Sequence, residues 1–164
     1  MRRYRLSSQL IVALLMSTLM LPLLSANTFD ISEDTTWSGN ITLDSDVVVA
    51  SGNTLTIEPG TVIDGGNGHA IEVLGSLIVA DAHFLSSASP TAQSSHGQGL
   101  WQGIIVNAGG HATLTNVTIE NANVGVKSYG SLFANELTVT DAYFAVKNYG
   151  PVSYTHLRAH ETLR

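Results

Sequence analysis

The chain has 164 residues, with 13 Asp plus Glu against 7 Lys plus Arg, and no cysteine. Between residues 27 and 150 the imbalance sharpens: 12 carboxylates face only Lys127 and Lys147, a net charge of −10. A surface of that sign repels phosphate backbones and excludes nucleic-acid binding, while the missing thiols exclude disulfide staples, thiolate metal sites and thiol catalysis.

Residues 1–26 read as a secretory signal peptide. Arg2, Arg3 and Arg5 form a basic head, and residues 10–24 an apolar core broken only by Ser17, Thr18 and Pro22. Ser25 and Ala26 are small residues before a cleavage point. The core is short of the ~20 apolar residues that a spanning helix needs, so export with cleavage is expected and no membrane association afterwards.

Residues 27–36 are expected to lead in, before the first strand-like runs at 39–43 and 47–50. Leu55 and Ile57 then alternate with Thr54 and Thr56, the period-two pattern of a half-buried strand. Pro59-Gly60 supplies a turn in which proline presets φ and glycine accepts a positive one. Val62 and Ile63 open the next strand, and DGGNG at 64–68 is a second bend of residues tolerant of left-handed backbone.

A further coil follows over 71–87, and then SSASPTAQSSHGQG, residues 86–99, interrupts the pattern with almost no apolar side chains. Trp101-Gln102-Gly103-Ile104-Ile105 re-enters it. From there a 20-residue period is plain: residues 106–122 read VNAGGHATLTNVTIENA, 126–142 read VKSYGSLFANELTVTDA, and 146–150 begin again as VKNYG. Gly110, Gly130 and Gly150 fall in step. Gly75-Ser76-Leu77 recurs as Gly130-Ser131-Leu132, which predicts the same turn, with 86–99 as the insertion that breaks the spacing between them.

Short β-branched runs repeating at a fixed period predict a solenoid whose coils complete one another's core. The expected fold is all-β: a right-handed parallel β-helix, a single-stranded β-solenoid of ~20-residue coils, with Val106 stacked on Val126 and Val146.

Residues 151–164 break the composition. The period calls for another apolar strand, yet the chain reads PVSYTHLRAHETLR and holds Arg158 and Arg164, the only arginines after Arg5. The string SYTHLRAHET resembles translated sequencing-adapter read-through. The expectation is a non-native or disordered tail, and a solenoid over 27–150 that continues in the natural protein; residues 27–150 expressed alone should self-associate through the coil edge left open at Gly150.

LTIEPGTVI, GSLIVADAHF and WQGIIV, in that order, resemble the right-handed parallel β-helix repeat proteins, secreted or surface proteins with the pectate-lyase-like fold. The resemblance covers most of 37–150. It implies the fold, and a range of roles that runs from polysaccharide lyases and hydrolases to adhesins and inert spacers.

Lyases resembling this fold use an arginine or lysine base beside calcium-holding aspartates. Here no arginine lies between residues 6 and 157, and Lys127 and Lys147, repeating at the period, read as solvated face. Glycoside hydrolysis needs two carboxyl groups at one site; Asp44 with Asp46, Asp81, Glu136 and Asp141 form no paired motif. His69, His83, His96 and His111 lack zinc-ligand spacing. No catalytic, metal or cofactor site is therefore assigned.

The inserted segment supplies the candidate ligand surface, Ser94, Ser95, His96 and Gln98, with Trp101 beside it. Trp101, Tyr129, Tyr143 and Tyr149 are rings that could meet a sugar, although Trp101 better suits a packed or half-packed ladder position. The expected role is a secreted or cell-surface module, structural or adhesive, presenting loops to polysaccharide or to a surface protein. The rival expectation is the N-terminal part of a polysaccharide lyase or glycoside hydrolase with its catalytic coils beyond residue 150.

Overall fold

A computed structural model describes residues 28–87 and 101–161. Fourteen strands and no helix occupy the described residues. In chain order they are β1 (Thr28–Ile31), β2 (Thr35–Trp37), β3 (Asn40–Thr42), β4 (Asp46–Val49), β5 (Thr54–Ile57), β6 (Val62–Asp64), β7 (Ala70–Val73), β8 (Ser76–Leu85), β9 (Gly103–Val106), β10 (His111–Glu120), β11 (Val124–Ser128), β12 (Ser131–Ala142), β13 (Phe144–Asn148) and β14 (Val152–Glu161).

All pairings are parallel. One sheet runs β1-β4-β7-β9-β11-β13 and the other β14-β12-β10-β8-β5-β2, with β3 and β6 continuing the second sheet beside β8. The chain visits the two sheets alternately and so winds a β-solenoid of about six turns. Residues 28–36 are not a lead-in, because β1 and β2 already belong to the ladder: Phe29 pairs with Val47 and Thr36 with Thr56.

The alternation seen in sequence becomes an inside and an outside. Leu55 and Ile57 are buried while Thr54 and Thr56 are half-exposed. Leu55, Leu77, Ala112 and Leu132 form one inward column, and Ile57, Val79, Leu114 and Ala134 the next. Side chains of unequal size share these columns, all of them buried, so the stacked layers fill one continuous core.

The same backbone device bends each long strand midway. In β8, β10, β12 and β14 one residue adopts positive φ in mid-strand: Asp81, Asn116, Glu136 and His156, at 50°, 51°, 57° and 56°. That residue shifts the inward parity as a bulge does. Leu77 and Val79 face in before Asp81, and Ala82 and Phe84 after it. In the first coils the same corner is cut by Gly39 and by Pro59-Gly60, with φ of 81° and 79° at the glycines. Gly60 N donates to Asp81 O at 2.8 Å, so the corners stack.

The glycines that fell in step do so for lack of room. A Cβ on Gly75, Gly110, Gly130 or Gly150 would run into the carbonyl oxygen of Ala50, Val73, Gly110 or Gly130 respectively. Ser76 and Ser131 both register with His111, so the two Gly-Ser-Leu turns are equivalent.

The stacking of Val106 on Val126 needs correction. Val106 registers with Ser128, and Ile104 takes the place above Val126. The turn at 107–110 is two residues longer than Tyr129-Gly130, so the first sheet steps by 22 residues where the second steps by 20.

Residues 152–161 run as β14 along β12 and not as a disordered tail. Val152, Tyr154, Leu157 and Ala159 fall on the inward columns of Leu132, Ala134, Leu137 and Val139, and His156 occupies the corner. His156 and Arg158, which help to make the stretch look foreign, take a corner and an outward position.

Candidate functional site

Register brings the two lysines together. Val126 and Val146 face the core, so Lys127 and Lys147, which are Cα partners, stack on the outer face of the first sheet. Going up that outward column one meets Asp30, Val48, Glu72, Ile105, Lys127 and Lys147. The column thus changes from acidic to basic.

Two residues beyond each lysine, just past the end of the strand, stands a tyrosine. Tyr129 N donates to Val106 O and Tyr149 N to Ser128 O, both at 2.7 Å, and the crowded Gly130 and Gly150 follow. Backbones fixed at the ~4.8 Å spacing of neighbouring strands impose face-to-face rings. The Tyr129 and Tyr149 centroids lie 5.0 Å apart with 12° between planes. The rings remain 42% and 66% exposed.

Two like charges stacked on adjacent strands repel. Here each ammonium turns to a different ring: Lys127 Nζ sits 5.1 Å from the Tyr129 centroid and Lys147 Nζ 3.3 Å from that of Phe144. A hydrogen bond to Tyr129 raises the pKa of Lys127 and outweighs the opposing partial burial, with the tyrosines adding Coulombic support. Tyr143 meets Phe144 edge-on at 4.5 Å and extends the surface beyond the start of β13. The result is an exposed platform of aromatic rings and two cations on an otherwise acidic protein.

Sequence reasoning named Tyr129, Tyr143 and Tyr149 as sugar-facing rings but set the lysines aside and missed Phe144. The repeated VKxYG was the available signal, since it places Lys and Tyr on one side of a strand end in consecutive coils.

Trp101 is a core residue, the packed ladder position that the sequence favoured, and drops out of the candidate ligand surface. It is fully buried, stacks on Phe84 at 5.7 Å with 5° between planes, and donates Nε1–H to Glu120 O at 3.2 Å. Its room comes from Gly65, where any Cβ would collide with the indole. Ser94, Ser95, His96 and Gln98 lie outside the described residues.

The root of the inserted segment is tied down at Asp64. Its Oδ1 accepts Gly66 N at 3.0 Å and Ser87 N at 3.1 Å, and its Oδ2 accepts Ser87 Oγ at 2.5 Å. Partial burial pushes this carboxyl up, but the three hydrogen bonds together hold it below the usual carboxylate range.

The remaining ionisable groups do not converge. Asp44 and Asp46 part company: Asp46 Oδ1 accepts Ala70 N at 3.0 Å, 3.6 Å from His69 Nδ1, whereas Asp44 is exposed beside a cavity of about 320 Å³ lined by Phe29, Trp37, Ile41 and Val47. Asp81 accepts a hydrogen bond from Asn116 at the corner column, 2.6 Å. His83 Nε2 lies 3.4 Å from Glu120 Oε2. Among the described residues no three metal-ligating side chains cluster.

The fold thus defines an all-parallel β-solenoid with a lysine–tyrosine platform on one sheet. Searches of protein-family models, curated proteins and solved structures find no match to the chain.

Proposed function

We propose that this chain is an exported, right-handed parallel β-helix module of the pectate-lyase-like type, with a structural or adhesive role at the cell surface. It holds polysaccharide, or the glycan of a surface protein, against the face formed by Lys127, Lys147, Tyr129 and Tyr149. The observation that carries the reading is the exposed Tyr129–Tyr149 pair beside the only lysines of residues 27–150. Aromatic faces suit the apolar faces of sugar rings, and the ammonium groups suit carboxylates or hydroxyls. Rings pre-stacked by the ladder lose little freedom on binding. The inserted segment 86–99 is a second presenting element in the same proposal.

The test is retention on immobilised pectin and alginate, with release of unsaturated uronate or reducing sugar assayed in parallel. Retention without release is expected. Tyr149→Ala should weaken retention about fivefold or more, the ~1 kcal/mol or more of a buried aromatic anchor. Product release would transfer the chain to the rival reading, a polysaccharide lyase or hydrolase. Neither retention nor release would sink the glycan assignment.

A further inference from the structure

We propose that Tyr129 and Tyr149 form a site of oxidative coupling, in which a hydrogen-peroxide-driven haem peroxidase joins them as an intramolecular dityrosine staple between successive coils. The inference is independent of the glycan reading, because it needs the two rings and no ligand.

Three observations converge on the pair. The rings are held parallel with centroids 5.0 Å apart and both are open to solvent, so a large oxidant can draw electrons from them. Their backbones are locked by the Val106 and Ser128 carbonyls and by Gly130 and Gly150, which admit no Cβ. Partners held in this way react as one molecule, at an effective concentration that no second copy in solution can match. The chain also has no cysteine, so a dityrosine is a covalent cross-link its side chains can form between coils where a disulfide cannot. The other described tyrosines are placed differently: Tyr143 packs on Phe144, and the Tyr154 hydroxyl is buried.

The chemistry balances. Each phenol gives one electron and its hydroxyl proton, and the two electrons and two protons reduce one hydrogen peroxide to two waters. The paired phenoxyl radicals join through a new carbon–carbon bond between the ring carbons ortho to oxygen. Each of those carbons then passes its hydrogen to its own phenoxyl oxygen as the ring regains aromaticity. The protein loses two hydrogens in all.

The full chain, treated with horseradish-type haem peroxidase and stoichiometric peroxide at low protein concentration, should gain dityrosine fluorescence while remaining monomeric on a denaturing gel. Its mass should fall by two hydrogens, with one cross-linked peptide containing Tyr129 and Tyr149. Tyr129→Phe and Tyr149→Phe keep the stack and the fold, and each should lower the yield about tenfold or more. Tyr143→Phe should leave it within about twofold, because that ring is not a coupling partner. Cross-linked dimers as the main product, coupling that survives either Phe variant at the 129–149 pair, or no dityrosine where free tyrosine couples readily would each overturn the proposal.

Discussion

Asp64 joins two stretches of chain that the sequence separates by more than twenty residues, and the joint depends on charge. Its folded pKa lies below the ordinary value because hydrogen bonds from Ser87 and Gly66 favour the carboxylate. The sign follows from linkage: this contribution is fully present above the unfolded pKa and is lost as pH falls through the folded one. Asp64→Asn should therefore be less stable than the parent at neutral pH, and the difference should shrink below about pH 4. Urea midpoints of both proteins at neutral and acid pH check it; an unchanged gap would mean the carboxylate is not the anchor. A second residue-scale case is Glu136, at φ 57° where Gly39, Gly60, Asp81 and Asn116 hold the same corner. Left-handed backbone costs an ordinary L-residue about 1–2 kcal/mol, less for Asn. Glu136→Asn is expected to stabilise by about 0.5–1 kcal/mol, read from the urea midpoint at constant slope.

At the scale of elements, the strands were legible and their exact stacking was not. The alternation of Leu55 and Ile57 with threonines, the Pro59-Gly60 turn and the equivalence of the two Gly-Ser-Leu turns all stand in the structure. What the pattern hid was the positive-φ residue midway along each long strand. Asp81 and Asn116 look like ordinary outward positions, yet they flip the inward parity halfway along. Val106 was misplaced for a related reason, since turn length shifts register without disturbing the 20-residue echo. The glycine stack was visible as a repeat but not as a steric demand. Gly130→Ala tests that demand: its Cβ meets the Gly110 oxygen, with the Asn107 oxygen 2.5 Å away. A collision with two backbone carbonyls has no flexible neighbour to yield, so a loss of about 3 kcal/mol or more is expected. Ser131→Ala, one residue on and half-exposed, should cost under about 0.5 kcal/mol. Thermal midpoints of the two variants separate a local clash from general intolerance of the coil.

Over the whole molecule the charge is polarised along the axis. Nine carboxylates and no lysine or arginine lie between residues 28 and 81, whereas Lys127 and Lys147 sit on the later coils. The lysine–tyrosine platform belongs to this scale, because neither lysine is informative until the register shows that both share a column with Glu72 and Asp30. Polarity also determines how cut coils should meet. A fragment of residues 27–150 loses β14 and leaves β12 paired only with β10, its other edge open along its length, with Leu132, Leu137 and Val139 no longer covered from that side. Every ladder in the solenoid is parallel, so the exposed edge of β12 and β13 continues in register only with the β1–β2 edge of another copy. That contact is head-to-tail, does not close on itself and grows with concentration. It also brings the basic column of one copy near Asp30, Glu33 and Asp34 of the next. Light scattering on the fragment should show a mass above the monomer that rises with concentration. The mass should fall as salt is raised from about 0.05 M to 0.5 M, where the screening length shrinks below the coil spacing. A monomer at all concentrations would mean that the open edge is blunted by its own side chains, and association indifferent to salt would remove the axial charge from the account and leave burial of the β12 face as its cause.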